Sequence, residues 1–251
     1  MKLFNTLLLV FLLSINNAEA LNIPDSIKKK IYSGTQTSSE AQTSSSSISG
    51  LSTSEISQGL KEALQLGVED GVKKLQVTDG YFKNEMVKIL LPEELQTVDR
   101  TLRMIGLGNL ADEGVKLLNR AAEDAVIEST PIFTNAITSI TFDDANSILL
   151  GNKDAATTYL RNKTTEQLVS AFKPKIEASL GKVGADKAWS NLISRYNSFT
   201  KKDITPDLNV YVTEQAIVGV FKMVAEKEAG IRDDLAERTS SILQKVFGAI
   251  K

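Results

Sequence analysis

Asn119 and Glu123 stand one helical turn apart, with Arg120 and Asp124 beside them, in the stretch Asn109 to Glu128, NLADEGVKLLNRAAEDAVIE. An amide, a carboxylate and a guanidinium at that spacing could hold a polar ligand head between helices. They could equally form a hydrogen-bonded network that fixes helix register, because partly buried polar groups must be satisfied, and such networks shift titrations without being active sites.

Histidine and cysteine are absent from all 251 residues, which narrows the chemistry sharply. There is no Ser-His-Asp or Cys-His machinery, no thiolate nucleophile, no ordinary zinc site and no Glu-x-x-His di-iron site. Carboxylates, Lys, Tyr, Ser, Thr and oxygen-ligated ions remain. No cofactor, metal site or catalytic residue is assigned. A net charge of −2 argues against binding nucleic acid or an anionic membrane by bulk electrostatics.

The helix that must position Asn119 and Glu123 has Leu110, Gly114, Leu117, Leu118, Ala121, Ala122, Ala125 and Val126 over about half its circumference, so it should pack against more than one neighbour. Gly114, Ala121, Ala122 and Ala125 let those neighbours approach closely, Asn109 is the expected cap, and the two polar residues border the apolar arc.

Other segments repeat the helical period. Ser52 and Glu55 fit a capping box before Ile56, Leu60, Leu64, Val68, Val72 and Leu75. Asp79-Gly80 marks a turn, and Pro92 suits the first position of a helix closed by Gly106 and Gly108. Thr130-Pro131 opens a helix through Ile140, Thr141 another ending at Gly151, and Asp154 a short one. Thr164 caps the next, which Pro174 should kink or interrupt; Gly181 and Gly184 close that section. A further helix presents Trp189, Leu192, Ile193 and Tyr196, Thr213 caps a long one, and the last stops at Gly248. The fold class is all-α: a compact domain of about eight to ten helices over residues 54–250.

The chain opens with Lys2, an apolar run from Leu7 to Leu13 and Ala18-Glu19-Ala20, which reads as a signal peptide over residues 1–20. That run is too short to span a bilayer, and no transmembrane segment is expected in the mature chain. The expectation is export, to the periplasm in a Gram-negative bacterium and otherwise to the outside. Residues 21–53 carry Lys28, Lys29 and Lys30 and then a Ser/Thr-rich stretch with little to bury, expected to be a disordered linker or tether.

Other constellations have plain structural explanations. Asp143, Asp144 and Asn146 do not match a calcium loop, and acids at a helix start suit the macrodipole. Glu226, Glu228, Asp233 and Asp234 with Arg232 read as a solvated face and helix end. Tyr159, Trp189, Tyr196 and Tyr211 could line a pocket, although aromatics at helical spacing usually form core. Asn162-Lys163-Thr164 fits a glycosylation acceptor, relevant only in a eukaryotic host.

In order, "VKILLPEEL", "GLGNLADEGVKLLNRAAEDAV", "DDANSILLGNKDAATTYLRNKTTEQL", "KP", "YVTEQAIVGVF", "EAGIRDD" and "LQKVFG" resemble domain-of-unknown-function family 4197, exported and mainly bacterial α-helical proteins. The resemblance covers about Leu60 to Gly248 and implies a helical fold and export, but no activity. Among the matching positions Asn119, Arg120, Glu123, Thr157 and Tyr159 are the candidate ligand-binding residues. Three functions follow: a non-enzymatic protein binding a small molecule or protein partner beside the Asn109 to Glu128 helix; an enzyme with Glu123 as acid or base and Arg120 or Tyr159 stabilising charge; or a structural envelope or matrix protein tethered by its Ser-rich segment.

Overall fold

The computed structural model describes residues 50–250 apart from 107, 183–188, 191–192, 195–196, 199–200, 202 and 204–205; the expectations for residues 1–49 lie outside the described residues. The chain is all-helical: α1 (Thr53–Leu75), α2 (Glu93–Met104), α3 (Gly108–Ala125), α4 (Ser129–Thr138), α5 (Phe142–Leu149), α6 (Ala155–Lys182), α7 (Leu208–Asp233) and α8 (Ser241–Gly248), with 3-10 turns at Val126–Glu128 and Leu235–Glu237.

The long helices α1, α6 and α7 form the centre, where α7 packs against both others. Gly67 faces Lys227 and Gly71 faces Met223, so α1 and α7 run antiparallel. Helix α3 crosses α6, α4 and α5 cover α1, and α8 closes α1 from the other side. Phe133 and Phe221 meet edge to face in this core, their rings 5.7 Å apart. At the α1 entry both halves of the Ser52–Glu55 capping box form, and Thr141 with Asp144 forms a second one at α5.

Several boundaries differ from the sequence expectation, for local reasons. Helix α6 absorbs what read as two helices. Thr164 lies inside α6, its buried hydroxyl donating to the Leu160 carbonyl rather than capping. Pro174 sits within α6 on an exposed side; Ser170, whose carbonyl loses its helical donor there, is also exposed and open to water. Thr213 likewise lies inside α7, bonded to Asn209, while Asp207 caps that helix. Helix α3 begins at Gly108, ahead of the expected Asn109 cap, and gives way to a 3-10 turn after Ala125. Trp189 and Ile193 are helical as expected, whereas Leu192, Tyr196 and Gly184 lie outside the described residues.

Between α1 and α2, residues 76–92 cross the core without a helix. Asp79 adopts a left-handed φ of 71°, which Asp tolerates better than most residues, and Gly80 follows so close to the end of α1 that a Cβ there would lie 2.5 Å from the Leu75 carbonyl. Irregular backbone at the edge of a core must find partners for its N–H and C=O groups outside any helical ladder. Turns within the segment supply some of them, and the N–H groups of Asp79, Tyr81, Phe82 and Ile89 find theirs on α3.

Candidate functional site

Helix α3 holds the crossing segment through the polar residues singled out above. Glu123 is 4% exposed, and its Oε1 accepts the N–H groups of Tyr81 (3.0 Å) and Phe82 (3.2 Å). Its Oε2 accepts the Asp79 N–H at 3.3 Å and a guanidinium N–H of Arg120, which also donates to Asp79. One turn earlier, Asn119 pairs with the Ile89 peptide unit: its Oδ1 accepts the Ile89 N–H at 2.8 Å and its Nδ2 donates to the Ile89 carbonyl at 2.7 Å. Both residues lie inside the buried face of α3 rather than on its border, while Leu110, expected on that face, is exposed and Ala111 takes its place.

The electrostatics follow from these contacts. The hydrogen bond to Glu123 raises the Arg120 guanidinium further above its ordinary value. Lys83 and then Arg120 hold the Asp79 carboxyl below the usual range. Tyr81 is fully buried, which pushes its phenol well up; the hydroxyl donates to the Ala216 carbonyl at 2.8 Å. Its ring fits only because residue 219 is glycine, since a Cβ there would lie 2.6 Å from Tyr81 Cε1. Tyr81 thus pegs the crossing segment between α3 and α7. A carboxylate with four donors on its two oxygens is poorly placed to exchange protons with a substrate.

The structure does not bring the five candidate residues together. Thr157 is buried at the start of α6, where Glu228 accepts its N–H and hydroxyl, both at 2.8 Å, and the Ala156 N–H at 3.0 Å. Arg232 donates to Glu228 at 3.0 Å and to the carbonyls of Ile148 and Leu149. Glu228 therefore sits at the positive end of α6 and Arg232 at the negative end of α5. Sequence reasoning placed both on a solvated face, and that is corrected here. The signal was available, because Glu228 falls between Val224 and Ile231 on the buried stripe of α7. The cavity that these two residues border, with Leu60, Leu64 and Phe247, holds about 10 Å³, room for about one water.

A family model described as a protein of unknown function, DUF4197, matches residues 50–248. The chain belongs to this family. No curated protein and no solved structure matches the chain.

The fifth candidate of this DUF4197 chain, Tyr159, is half-buried, with its hydroxyl 3.5 Å from Asp144, outside both networks. Burial and then Asp144 raise its phenol, while Asp144 itself is lowered by the Thr141 N–H and hydroxyl of the capping box. Among the described residues no three Asp or Glu carboxylates are grouped to hold a metal ion, and no helix is long and apolar enough to cross a membrane.

The crossing segment leads from the Asn119 clamp directly into an open groove of about 600 Å³. One wall is Lys88, Leu90 to Glu94 and Gln96; the other is Pro206, Asp207 and one face of α7 from Val210 to Gln215. Tyr211 spans the two, its hydroxyl donating to the Leu90 carbonyl at 2.9 Å. Its phenol is pushed up to about 12 by burial and then by Glu94, Glu214 and Glu93. Of the four aromatics weighed from sequence, Trp189 is core and Tyr211 lines this groove.

Proposed function

We propose that this chain is an exported, non-enzymatic binding protein that takes an extended, basic and apolar peptide segment of a partner in the groove between residues 88–96 and 206–215. In this reading residues 1–20 direct export and are removed, and the mature chain works in the periplasm or outside the cell. The observation that carries it is the division of labour around α3. Asn119, Arg120 and Glu123 are occupied in holding residues 79–89, and the chain that continues from the segment so held forms one wall of a groove whose volume lies in the ordinary range of ligand sites. Those residues then contribute to binding by positioning, one layer behind the surface. Thr157 and Tyr159 belong to the scaffold at the N-terminal end of α6, against Glu228 and Asp144.

The test is selection of random peptides on the immobilised mature chain and on Leu90→Asp, a change at a residue 61% exposed and therefore harmless to the core. Basic apolar peptides should be enriched on the wild type and at least tenfold less on the variant. Equal enrichment, or none, sinks the reading. A purely structural envelope role is the second reading, favoured by the near absence of space beside Glu228.

A further inference from the structure

The groove has an apolar floor and an acidic rim. Leu91 and Pro92 are buried beneath it, Val210 and the Tyr211 ring are half-buried in its wall, and Leu90 stands exposed at its lip. Glu93, Glu94 and Asp207 stand exposed around that floor, and Glu214 is buried in its wall. The basic residue in the lining, Lys88, has its ammonium 5.0 Å from the centre of the Phe82 ring and 3.9 Å from Glu85, both outside the lining. An occupant of this surface needs apolar side chains interleaved with positive charge.

The chain carries such a segment ahead of α1. Residues 23–32 read IPDSIKKKIY, with Ile27 and Ile31 flanking Lys28, Lys29 and Lys30. We infer that residues 23–32 of the same chain occupy the groove at rest and compete with the partner's segment; this rests on the groove reading above. The reach is sufficient. Because α1 runs antiparallel to α7, the start of α1 lies roughly 45 Å from the groove, from the rise per residue along the two helices. Residues 33–52 supply about 20 Ser/Thr-rich residues, whose fully extended length is about 65 Å. A Ser/Thr-rich tether of this length spanning that distance gives an effective concentration on the order of 0.1 mM, enough for a weak internal ligand that a tighter external one displaces.

The experiment compares the mature chain, residues 21–251, with its Lys28→Glu, Lys29→Glu, Lys30→Glu variant. Amide hydrogen exchange at 88–96 and 206–215 should be at least threefold faster in the variant, with the melting temperature unchanged. A synthetic peptide of residues 21–34 should restore the protection and should bind the variant at least threefold more tightly than the wild type. Equal exchange and equal peptide affinity in the two chains overturn the inference. If the peptides selected in the preceding test still bind under that outcome, the groove reading survives alone; if no peptide binds either chain, both fall. Protection that rises with protein concentration places the segment in a second copy and overturns the internal assignment.

Discussion

Glu123 and Glu228 are both buried carboxylates that accept backbone N–H groups and pair with an arginine close by on the same helix, yet they hold different things. Glu228 ties together elements that are already regular, the start of α6 and, through Arg232, the end of α5. Its pair is 7% and 10% exposed, and the helix ends supply fields of the favourable sign. Glu123 holds a segment with no ladder of its own, and its partners Arg120 and Asp79 remain about a quarter exposed. The first network joins parts of the core; the second confers order on a strip of backbone that becomes a surface. A buried ion pair is by itself weak evidence of net stability; in this chain Glu123 fixes the path of residues 79–82, and the groove wall begins six residues further on at Lys88.

The largest effect should come from Glu228→Ala. It leaves the Arg232 guanidinium buried beside unpaired N–H groups at Ala156 and Thr157, a loss of about 3–5 kcal/mol. Urea unfolding should show it as a lower midpoint with an unchanged slope. A loss below about 1 kcal/mol would show that water repairs the site and would erase the contrast with Glu123.

Glu123→Gln keeps the shape but removes the charge and turns one acceptor into a donor facing other donors, at a cost of about 1–3 kcal/mol. Here the location matters more than the size. Hydrogen exchange at 79–82 should accelerate ahead of the rest of the chain, because the N–H groups of Asp79, Tyr81 and Phe82 all donate to Glu123. Uniform acceleration would mean that the two networks do the same job. Gly219→Ala attacks the same segment from α7. The Tyr81 ring is pinned at its hydroxyl by Ala216 and at its N–H by Glu123, so it cannot retreat from a new methyl, and about 1–3 kcal/mol should be lost. Combined with Glu123→Gln, the losses should fall short of additive, since both release Tyr81.

The periodicity that made the chain all-α was sound because apolar spacing is set by helix geometry alone: the face of α1 was legible residue by residue. Helix boundaries were less so. Thr164 and Thr213 looked like caps because a hydroxyl that can cap can also bond back to a carbonyl four residues earlier, and only the surrounding structure decides which. The polar residues of α3 were found, but what they hold was not, because the backbone groups of Asp79, Tyr81, Phe82 and Ile89 carry no side-chain signature. Thr157 was separated from Glu123 for the same reason: chain order does not show which helix start each carboxylate serves. The groove was invisible in sequence, since its walls lie more than a hundred residues apart.

The smallest effect concerns pH, where exposed carboxylates provide a control for the buried ones. Glu55, at the start of α1, is lowered from 4.5 to about 2, first by Lys245 of α8 and then by Ser52. Asp79, on the rim of the Glu123 network, is lowered from 3.8 by Lys83 and then Arg120. In both cases the folded form holds its proton less tightly than the unfolded chain. Each group's contribution is therefore present in full above its unfolded value and is lost as pH falls through the folded one. Melting temperature should thus decline from about pH 4.5 toward 2 in the wild type. Glu55→Gln should make that decline shallower from about 4.5 downward but leave the share due to Asp79, while Asp79→Asn should make it shallower only below 3.8 and should speed hydrogen exchange at 79–89 at neutral pH. If Glu55→Gln disturbed 79–89 instead, the α1–α8 contact and the Glu123 clamp would be one cooperative unit, and the separation of core from groove wall would have to be redrawn.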